Sequence, residues 1–158
     1  MMQASQTRAI PMEQWCDLAR EGCAPQVTIC LEGDSMRPLI RRAKDPVTIV
    51  ALNRPLIKGD VVLFRLGGKY IVHRVWKLKD GMVCTFGDNC WNPDPWIPLE
   101  QVLGLVVKYS RGGRMHRLDT GPARGWGRLW MSLHPIRRYY KRLRALAGRC
   151  YRKVFPKR

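Results

Sequence analysis

The sequence predicts a mainly β protein of the α+β class with a helical segment at each end. Three observations support this prediction: short stretches of alternating apolar and polar residues, glycine-rich turns between them, and helical spacing confined to the chain ends. With 158 residues, 46% of them hydrophobic and 26% charged, the chain is long enough to bury a core. We therefore divide it into a helical extension (1–25), a β domain (26–118) and a basic helical tail (119–158).

The first element is a short N-terminal helix. In "PMEQWCDLAREG", Pro11 suits a first helical position, Met12, Trp15 and Leu18 share one face, and Gly22 can end the helix. The stretch "QVTICLEG" then alternates as a half-buried strand does and leads directly into "GDSM".

Further strands are predicted along the β domain. They are "DPVTIVAL", the two halves of "GDVVLFRLGGKYIVHRVWKL", "MVCTF", "QVLGLVVKYS" and "RMHRL". Gly67-Gly68 tolerates positive φ and predicts a hairpin turn. The segment "GDNCWNPDPWIP" is predicted to be an irregular loop because glycine, proline and asparagine interrupt regular structure.

The tail carries most of the positive charge. The chain has 29 basic and 12 acidic residues, a balance of +17. Residues 111–158 contain fifteen Lys or Arg against one acid, Asp119, which leaves +14 in this part. Such a concentration indicates an anionic partner or a charged, solvated surface.

Apolar residues recur with helical spacing from Trp126 onward and again after Pro135, between many basic residues. This pattern predicts a basic amphipathic helix, whose apolar face is Ile136, Tyr139, Tyr140, Leu143, Leu146, Ala147, Cys150 and Val154. Trp126 and Trp130 add rings suited to a membrane interface. One interpretation is an anionic membrane surface bound through residues 126–158, and another is a helix that covers the β core. Nucleic acid is disfavoured because no recognition motif accompanies the charge.

No segment has the composition of a secretory signal, and the longest apolar runs, "DVVLF" and "VLGLVV", are too short to span a bilayer. We therefore expect a cytoplasmic protein, or one peripheral at the inner face of the membrane.

Six cysteines include no Cys-x-x-Cys pair and are expected to be reduced thiols. Cys16, Cys23 and Cys30 recur every seven residues, but the spacing of a four-ligand zinc site is missing. We favour small buried hydrophobic residues at these positions, and we expect no metal and no cofactor.

The candidate nucleophile is Ser35, which follows the end of a predicted strand. A serine hydroxyl needs a base within hydrogen-bond reach and a third group to orient that base. The histidines are His73 in mid-strand, His116 in the last predicted strand, and His134 in the tail. Spacing alone leaves open whether any of them is a base.

His73 shares a strand face with Ile71 and Val75, so it is either a buried structural residue or a base. Asp88 and Asp94 lie in a loop where aspartates commonly stabilise turns, and they are also candidates for the orienting acid.

Four stretches in order, "GDSMRPL", "KGDVVLFRLGGKYIVHRV", "TFGDNCWNPD" and "VLGLV", resemble the conserved boxes of the signal peptidase I family. That family belongs to a clan that includes the LexA-type self-cleaving repressors. The resemblance covers roughly residues 26–107. It implies a signal peptidase/LexA-like β domain within residues 26–118, and it is closest to the branch that uses histidine rather than lysine as the base.

Carried onto this sequence, the resemblance assigns a role to each matching residue. The nucleophile is Ser35, in a Ser-Met-x-Pro motif with Met36 and Pro38; the base is His73; the orienting acid is Asp88 or Asp94. The backbone N–H of Ser35 would stabilise the oxyanion. Gly33 stands where many signal peptidases have a serine, although glycine also occurs there among LexA-like relatives.

The implied activity is that of a serine endopeptidase cleaving a precursor or leader peptide by a Ser-His-Asp mechanism. Its substrate would be an extended peptide added to the sheet as a strand, with small residues near the cut. Two alternatives stay open: a non-catalytic module of the same fold that binds a membrane or nucleic acid through its tail, and a self-cleaving LexA-like regulator.

Overall fold

The structure is a computed structural model, and it describes residues 11–137 and residue 139. They form one curled antiparallel sheet and a few helices, with 37% of the described residues in strands and 23% in helices. The elements follow the chain in the order α1 (Met12–Arg20), β1 (Val27–Ile29), β2 (Val47–Ala51), β3 (Val61–Leu66), β4 (Lys69–Lys79), β5 (Met82–Phe86), β6 (Trp96–Pro98), a 3-10 helix (Leu99–Gln101), β7 (Val102–Arg111), β8 (Arg114–Arg117) and α2 (Gly121–Ser132). The prediction of a mainly β protein is confirmed.

The strands are ordered β1-β2-β7-β3-β4-β5-β6 across the sheet, and β8 pairs with β7. Every pairing is antiparallel. The hairpin predicted at Gly67-Gly68 joins β3 to β4, and both glycines have positive φ, 56° and 77°. This is the backbone conformation that a tight hairpin turn requires.

The prediction that residues 87–98 form an irregular loop is wrong at its end. Trp96–Pro98 form β6, which pairs with β5 and places Trp96 opposite Cys84 and Pro98 opposite Met82. Proline is tolerated here because β6 lies at the end of the sheet, where a missing N–H breaks no second ladder.

Both faces of the sheet are buried. One face packs around the fully buried Trp15 of α1 and includes Ile49, Leu63 and Val72. The ring nitrogen of Trp15 donates to the carbonyl of Pro25 at 2.7 Å, so its burial leaves no polar atom unsatisfied. The N-terminal helix thus forms part of the core of the β domain.

A second cluster of buried residues, which includes Val62, Phe64, Val75 and Val83, covers the other face. β4 contributes to both clusters, through Val72 to the first and Val75 to the second, because successive side chains point to opposite faces.

The helix α2 begins at Gly121, earlier than the sequence pattern from Trp126 predicts. Thr120 caps it by accepting a hydrogen bond from the backbone N–H of Ala123, and a proline occupies its first turn. Arg124 ties the helix to β3 by donating to buried Asp60 at 3.0 Å. In the predicted tail helix, residue 138 and residues 140–158 lie outside the described residues.

In the described part of the chain, no helix has both the length and the apolar character needed to cross a bilayer. Cys16 is buried as predicted, whereas Cys23 and Cys30 are exposed, so the interpretation as small buried residues is wrong for these two. α1 ends at Arg20, and the seven-residue spacing therefore does not continue along one helix face.

Candidate active site

A groove of about 760 Å³ runs along one edge of β4. Residues 69–73 pair with β3 on one side, but β5 joins β4 only from Arg74 onward. The other edge of residues 69–73 therefore carries no strand partner among the described residues. The end of β1 and the chain after it, residues 29–33, also line the groove. A groove beside an unpaired strand edge can accept an extended chain.

Ser35 lines this groove and is half-buried, in a turn that follows β1. Asn89 fixes the turn from the neighbouring loop: its backbone N–H donates to the Ser35 carbonyl at 2.7 Å, and its side-chain amide donates to the Asp34 carbonyl at 3.2 Å. The turn that carries Ser35 is thus joined to the loop that carries Asp88 and Asp94.

A buried carboxylate holds the chain just after Ser35. Asp45 is fully buried and accepts hydrogen bonds from Arg41 and Arg111, and Arg111 also donates to the Leu39 carbonyl at 2.8 Å. Burial raises the pKa of Asp45, but the hydrogen bonds from the two arginines outweigh it and hold the pKa far below its usual range. Asp45 is therefore a permanent anion that anchors this segment.

His73 also lines the groove, and its side chain is hydrogen-bonded to Asp94. Its Nδ1 lies 2.6 Å from Asp94 Oδ2, and the same oxygen accepts a hydrogen bond from the Thr85 hydroxyl at 2.6 Å. The backbone carbonyl of Thr85 also accepts a hydrogen bond from the backbone N–H of Asp94 at 2.9 Å. His116 stacks on Tyr109 instead, so the imidazole that a neighbouring carboxylate orients at the groove is that of His73.

The surroundings of His73 favour its charged form. Burial lowers the pKa of the imidazole, but hydrogen bonds to Asp94 and Cys90, together with the charge of Asp94, outweigh burial and raise the pKa to about 9. At neutral pH the ring is therefore an imidazolium, and it becomes a base only as the pH rises.

Asp88 occupies a different environment. Its two oxygens accept a bidentate hydrogen bond from Arg74 at 2.9 and 2.8 Å, and Arg74 also donates to the Gly59 carbonyl. Both side chains are almost fully buried. Arg137 donates to the backbone carbonyl of Asp88 at 2.9 Å. The Asp88 carboxylate therefore binds Arg74, and Asp94 is the candidate acid that contacts His73.

The other ring nitrogen of His73, Nε2, contacts a thiol. Cys90 Sγ lies 3.9 Å from it, and the hydrogen bonds of the described residues do not include one between Nε2 and Ser35 Oγ. Ser35 and His73 nevertheless line the same groove, and contacts between a nucleophile and its base commonly tighten only when substrate binds.

The remaining candidates lie in three different places. Gly33 lines the groove, and a Cβ built on it would lie 3.9 Å from Ser35 Oγ and 4.0 Å from Ser35 N. Met36 is fully buried in the core beneath the turn. Pro38 is exposed and lines a smaller cavity of about 270 Å³ beside Arg74, Asp88 and Trp126. The structure brings Gly33 to Ser35, and it places Met36 and Pro38 outside the groove.

Three contacts at the site were not predicted from the sequence: Thr85 on Asp94, Arg74 on Asp88, and Cys90 on His73. Two of these contacts have a signal in the sequence, because a buried polar side chain needs a partner. Thr85 is the polar residue in the otherwise apolar "MVCTF", and Arg74 is a charged residue in mid-strand. Within residues 11–137 and residue 139, no group of three or more His, Cys, Asp or Glu side chains could hold a metal ion.

Comparison of the sequence with protein-family models gives no match, and comparison with curated proteins gives none either. Function is therefore inferred from the geometry of the groove and from the sequence resemblance to the signal peptidase I family.

Proposed function

We propose that this protein is a serine endopeptidase of the signal peptidase I/LexA-like type, and that it cleaves an extended peptide bound in the groove beside β4. The observation that carries the proposal is the Asp94–His73 hydrogen bond at a groove that Ser35 also lines. A serine and an imidazole oriented by a carboxylate are the groups that acyl transfer to serine requires.

The proposed reaction proceeds by acyl transfer. Neutral His73 accepts the hydroxyl proton of Ser35 through Nε2 while Ser35 Oγ attacks the peptide carbonyl. The Ser35 backbone N–H stabilises the oxyanion, and His73 then donates its proton to the leaving amine. Water, activated by the same imidazole, hydrolyses the acyl-enzyme. Asp94 keeps Nδ1 protonated throughout, so that Nε2 is the nitrogen that exchanges the proton.

The substrate is proposed to be a segment of a precursor or leader peptide in extended form. Within the described part of the chain, no strand pairs with one edge of residues 69–73, and a peptide strand can pair with the backbone groups there. Ile29, Leu31 and Tyr70 line the groove, which favours apolar side chains at alternate positions of the substrate.

The test is N-terminal peptide profiling by mass spectrometry of cells that express the wild-type chain or Ser35→Ala. We expect new N-termini that depend on Ser35, with small residues before the cut. Ser132→Ala, on α2 and away from the groove, is the matched control and should behave as wild type. Identical profiles for wild type and Ser35→Ala, with both proteins folded, would refute the peptidase and favour a non-catalytic binding module. Fragments of the chain itself that Ser35→Ala lacks would indicate a self-cleaving regulator.

We also propose that the enzyme works at an anionic membrane surface. Trp126, Leu129, Leu133 and Ile136 recur on one side of the segment that begins with α2, and each is exposed. Residues 121–137 contain three arginines and no acidic residue, and residues 138–158 add nine basic residues. An exposed apolar face surrounded by positive charge fits the interface of an anionic bilayer.

Vesicle sedimentation tests this location. The double variant Trp126→Ser/Leu129→Ser should bind vesicles that contain phosphatidylserine more than about tenfold less tightly, because two large apolar side chains no longer insert. Met115→Ser, which removes an exposed apolar residue from β8, is the matched control. Equal binding of the double variant and the control would remove the membrane proposal and leave the peptidase proposal intact.

A further inference from the structure

Cys90 lies at the ring nitrogen through which His73 would exchange a proton. Its Sγ is 3.9 Å from Nε2, while Asp94 lies 2.6 Å from Nδ1 on the other side of the ring. The proposed mechanism gives the thiol no role. It therefore belongs to the catalytic cluster by position but not by function.

The turn that carries Cys90 is shaped for this contact. The backbone N–H of Cys90 donates to the Gly87 carbonyl at 2.9 Å, which turns the chain back toward the imidazole. A Cβ on Gly87 would lie 2.5 Å from Cys90 Sγ and 2.8 Å from His73 Nε2, closer than real Cβ atoms come. The absence of a side chain at position 87 thus leaves the space in which the thiol and the imidazole meet.

The pair places the Cys90 thiol 3.9 Å from a ring nitrogen of His73. The thiolate is the reactive form of cysteine, and an adjacent imidazolium stabilises it. Asp94 keeps His73 in the imidazolium form near neutral pH, since the pKa of His73 is raised to about 9. Cys90 is also partly exposed, whereas Cys84 is buried and donates to the Asp94 carbonyl at 3.3 Å. Cys90 is therefore an accessible thiol in contact with an imidazole.

We propose that Cys90 is a redox-modification site at which a peroxide switches the Ser35–His73 site off. In the reaction, the Cys90 thiolate attacks one oxygen of hydrogen peroxide and the O–O bond breaks. Hydroxide leaves and takes up a proton to form water. The sulfur is oxidised by two electrons to a sulfenic acid, and the peroxide is reduced.

The added oxygen lies on the Nε2 side of His73. There it competes with Ser35 for the one nitrogen that can take the serine proton, and cleavage stops. A low-molecular-weight thiol reverses the change: it displaces water from the sulfenic acid to form a mixed disulfide, and a second thiol then releases Cys90. The loss of cleavage rests on the proposed peptidase function, but the reactivity of Cys90 does not.

The first experiment measures reactivity without any substrate. The folded chain is treated with limiting iodoacetamide at pH 7, and the alkylation rate of each cysteine is followed by mass spectrometry. We expect Cys90 to react about tenfold faster than the exposed Cys23, and we expect His73→Gln to remove this advantage. A Cys90 rate no higher than that of Cys23, or equal rates in wild type and His73→Gln, overturns the proposal.

The second experiment measures the consequence. Hydrogen peroxide should abolish cleavage by the wild type, and dithiothreitol should restore it. The activity of Cys90→Ala should be the same with and without peroxide. Full activity of a wild-type sample whose Cys90 is shown to be oxidised overturns the switch. If the untreated protein cleaves no peptide, the peptidase proposal fails, and the alkylation rates alone decide whether Cys90 is an activated thiol.

Discussion

His73 and Arg74 are neighbours on β4, and each contacts an aspartate of the same loop, yet the two pairs differ in kind. The Arg74–Asp88 pair is buried, with side chains 3% and 1% exposed, and a bidentate hydrogen bond joins the two side chains. The His73–Asp94 pair is more open, at 8% and 17%, and its imidazole can lose a proton. One pair can hold the loop in place, and the other can exchange a proton with a substrate.

The comparison explains how the loop is organised. Asp88 fixes its beginning on Arg74, and Asp94 fixes its end on His73 and Thr85. Between these anchors, Asn89 contacts the turn of Ser35 and Cys90 contacts His73. A structural ion pair thus positions the residues of the proposed active site without touching the groove.

The largest expected effect is the loss of peptide cleavage when His73 of the His73–Asp94 pair is replaced. His73→Gln should reduce kcat/KM for a peptide substrate by at least about 10³, because no other group takes the serine proton. Circular dichroism should show that the fold is retained. His116→Gln, which alters a histidine stacked on Tyr109, is the matched control and should keep its activity. A His73→Gln variant within about tenfold of wild type would contradict the assignment of the base.

Asp94→Asn should come next, with a loss of about 10³ in kcat, because an amide does not hold the imidazole in the required tautomer or stabilise its charge. The pH profile sharpens the test. Since the base must be neutral, the wild-type rate should rise with pH through a pKa of about 9, and Asp94→Asn should shift that rise to lower pH. An unshifted profile would show that Asp94 does not set the charge of His73.

Asp88→Asn should affect stability instead of chemistry. It leaves the buried guanidinium of Arg74 without a counter-charge, which costs about 3 kcal/mol of the free energy of unfolding. Urea denaturation measures this loss. Activity per folded molecule should fall far less than in Asp94→Asn, and a comparable fall would show that the two aspartates share the catalytic role.

The sequence predicted every described strand except β6, and it predicted where Ser35 and His73 lie, because strand alternation and a serine directly after a strand are local features. It left open the choice between Asp88 and Asp94, which stand six residues apart in one loop. That choice depends on the path of the loop and on the register shift between β4 and β5 after Val75. No local pattern encodes either of these.

Contacts made by turns were harder still to predict. Cys90 reaches His73 only because the chain reverses at Gly87, and Thr85 reaches Asp94 only because that reversal ends beside β5. Likewise, β6 was missed because Pro95 and Pro98 indicate a loop unless the strand is known to lie at an edge.

The His73–Asp94 contact should also make stability depend on pH. The pKa of His73 is about 9 in the folded chain, against an ordinary value of 6.5, so its contribution is fully present below pH 6.5 and is lost as the pH rises through 9. The unfolding free energies of wild type and Asp94→Asn should therefore differ most near pH 6, by about 2–3 kcal/mol, and converge above pH 9. Urea titrations at several pH values measure this. A difference that does not vary with pH would show that Asp94 stabilises the fold by some other contact.

The smallest expected effect is a difference in thermal stability between alanine variants of two glycines of the site, Gly87 and Gly33. Gly87→Ala places a methyl group where the imidazole and the Cys90 thiol meet, so the turn or the ring must shift, at a cost of about 1–3 kcal/mol. Gly33→Ala places the same group at an ordinary van der Waals distance from Ser35 and should change the melting temperature very little. Thermal unfolding of the two variants makes the comparison. The methyl group of Gly87→Ala would press on the thiol and the imidazole, and that of Gly33→Ala would not press on any neighbour. Equal melting temperatures of the two variants would therefore mean that the contact between the thiol and the imidazole is not tightly packed. The same result would remove the structural reason for the reactivity assigned to Cys90.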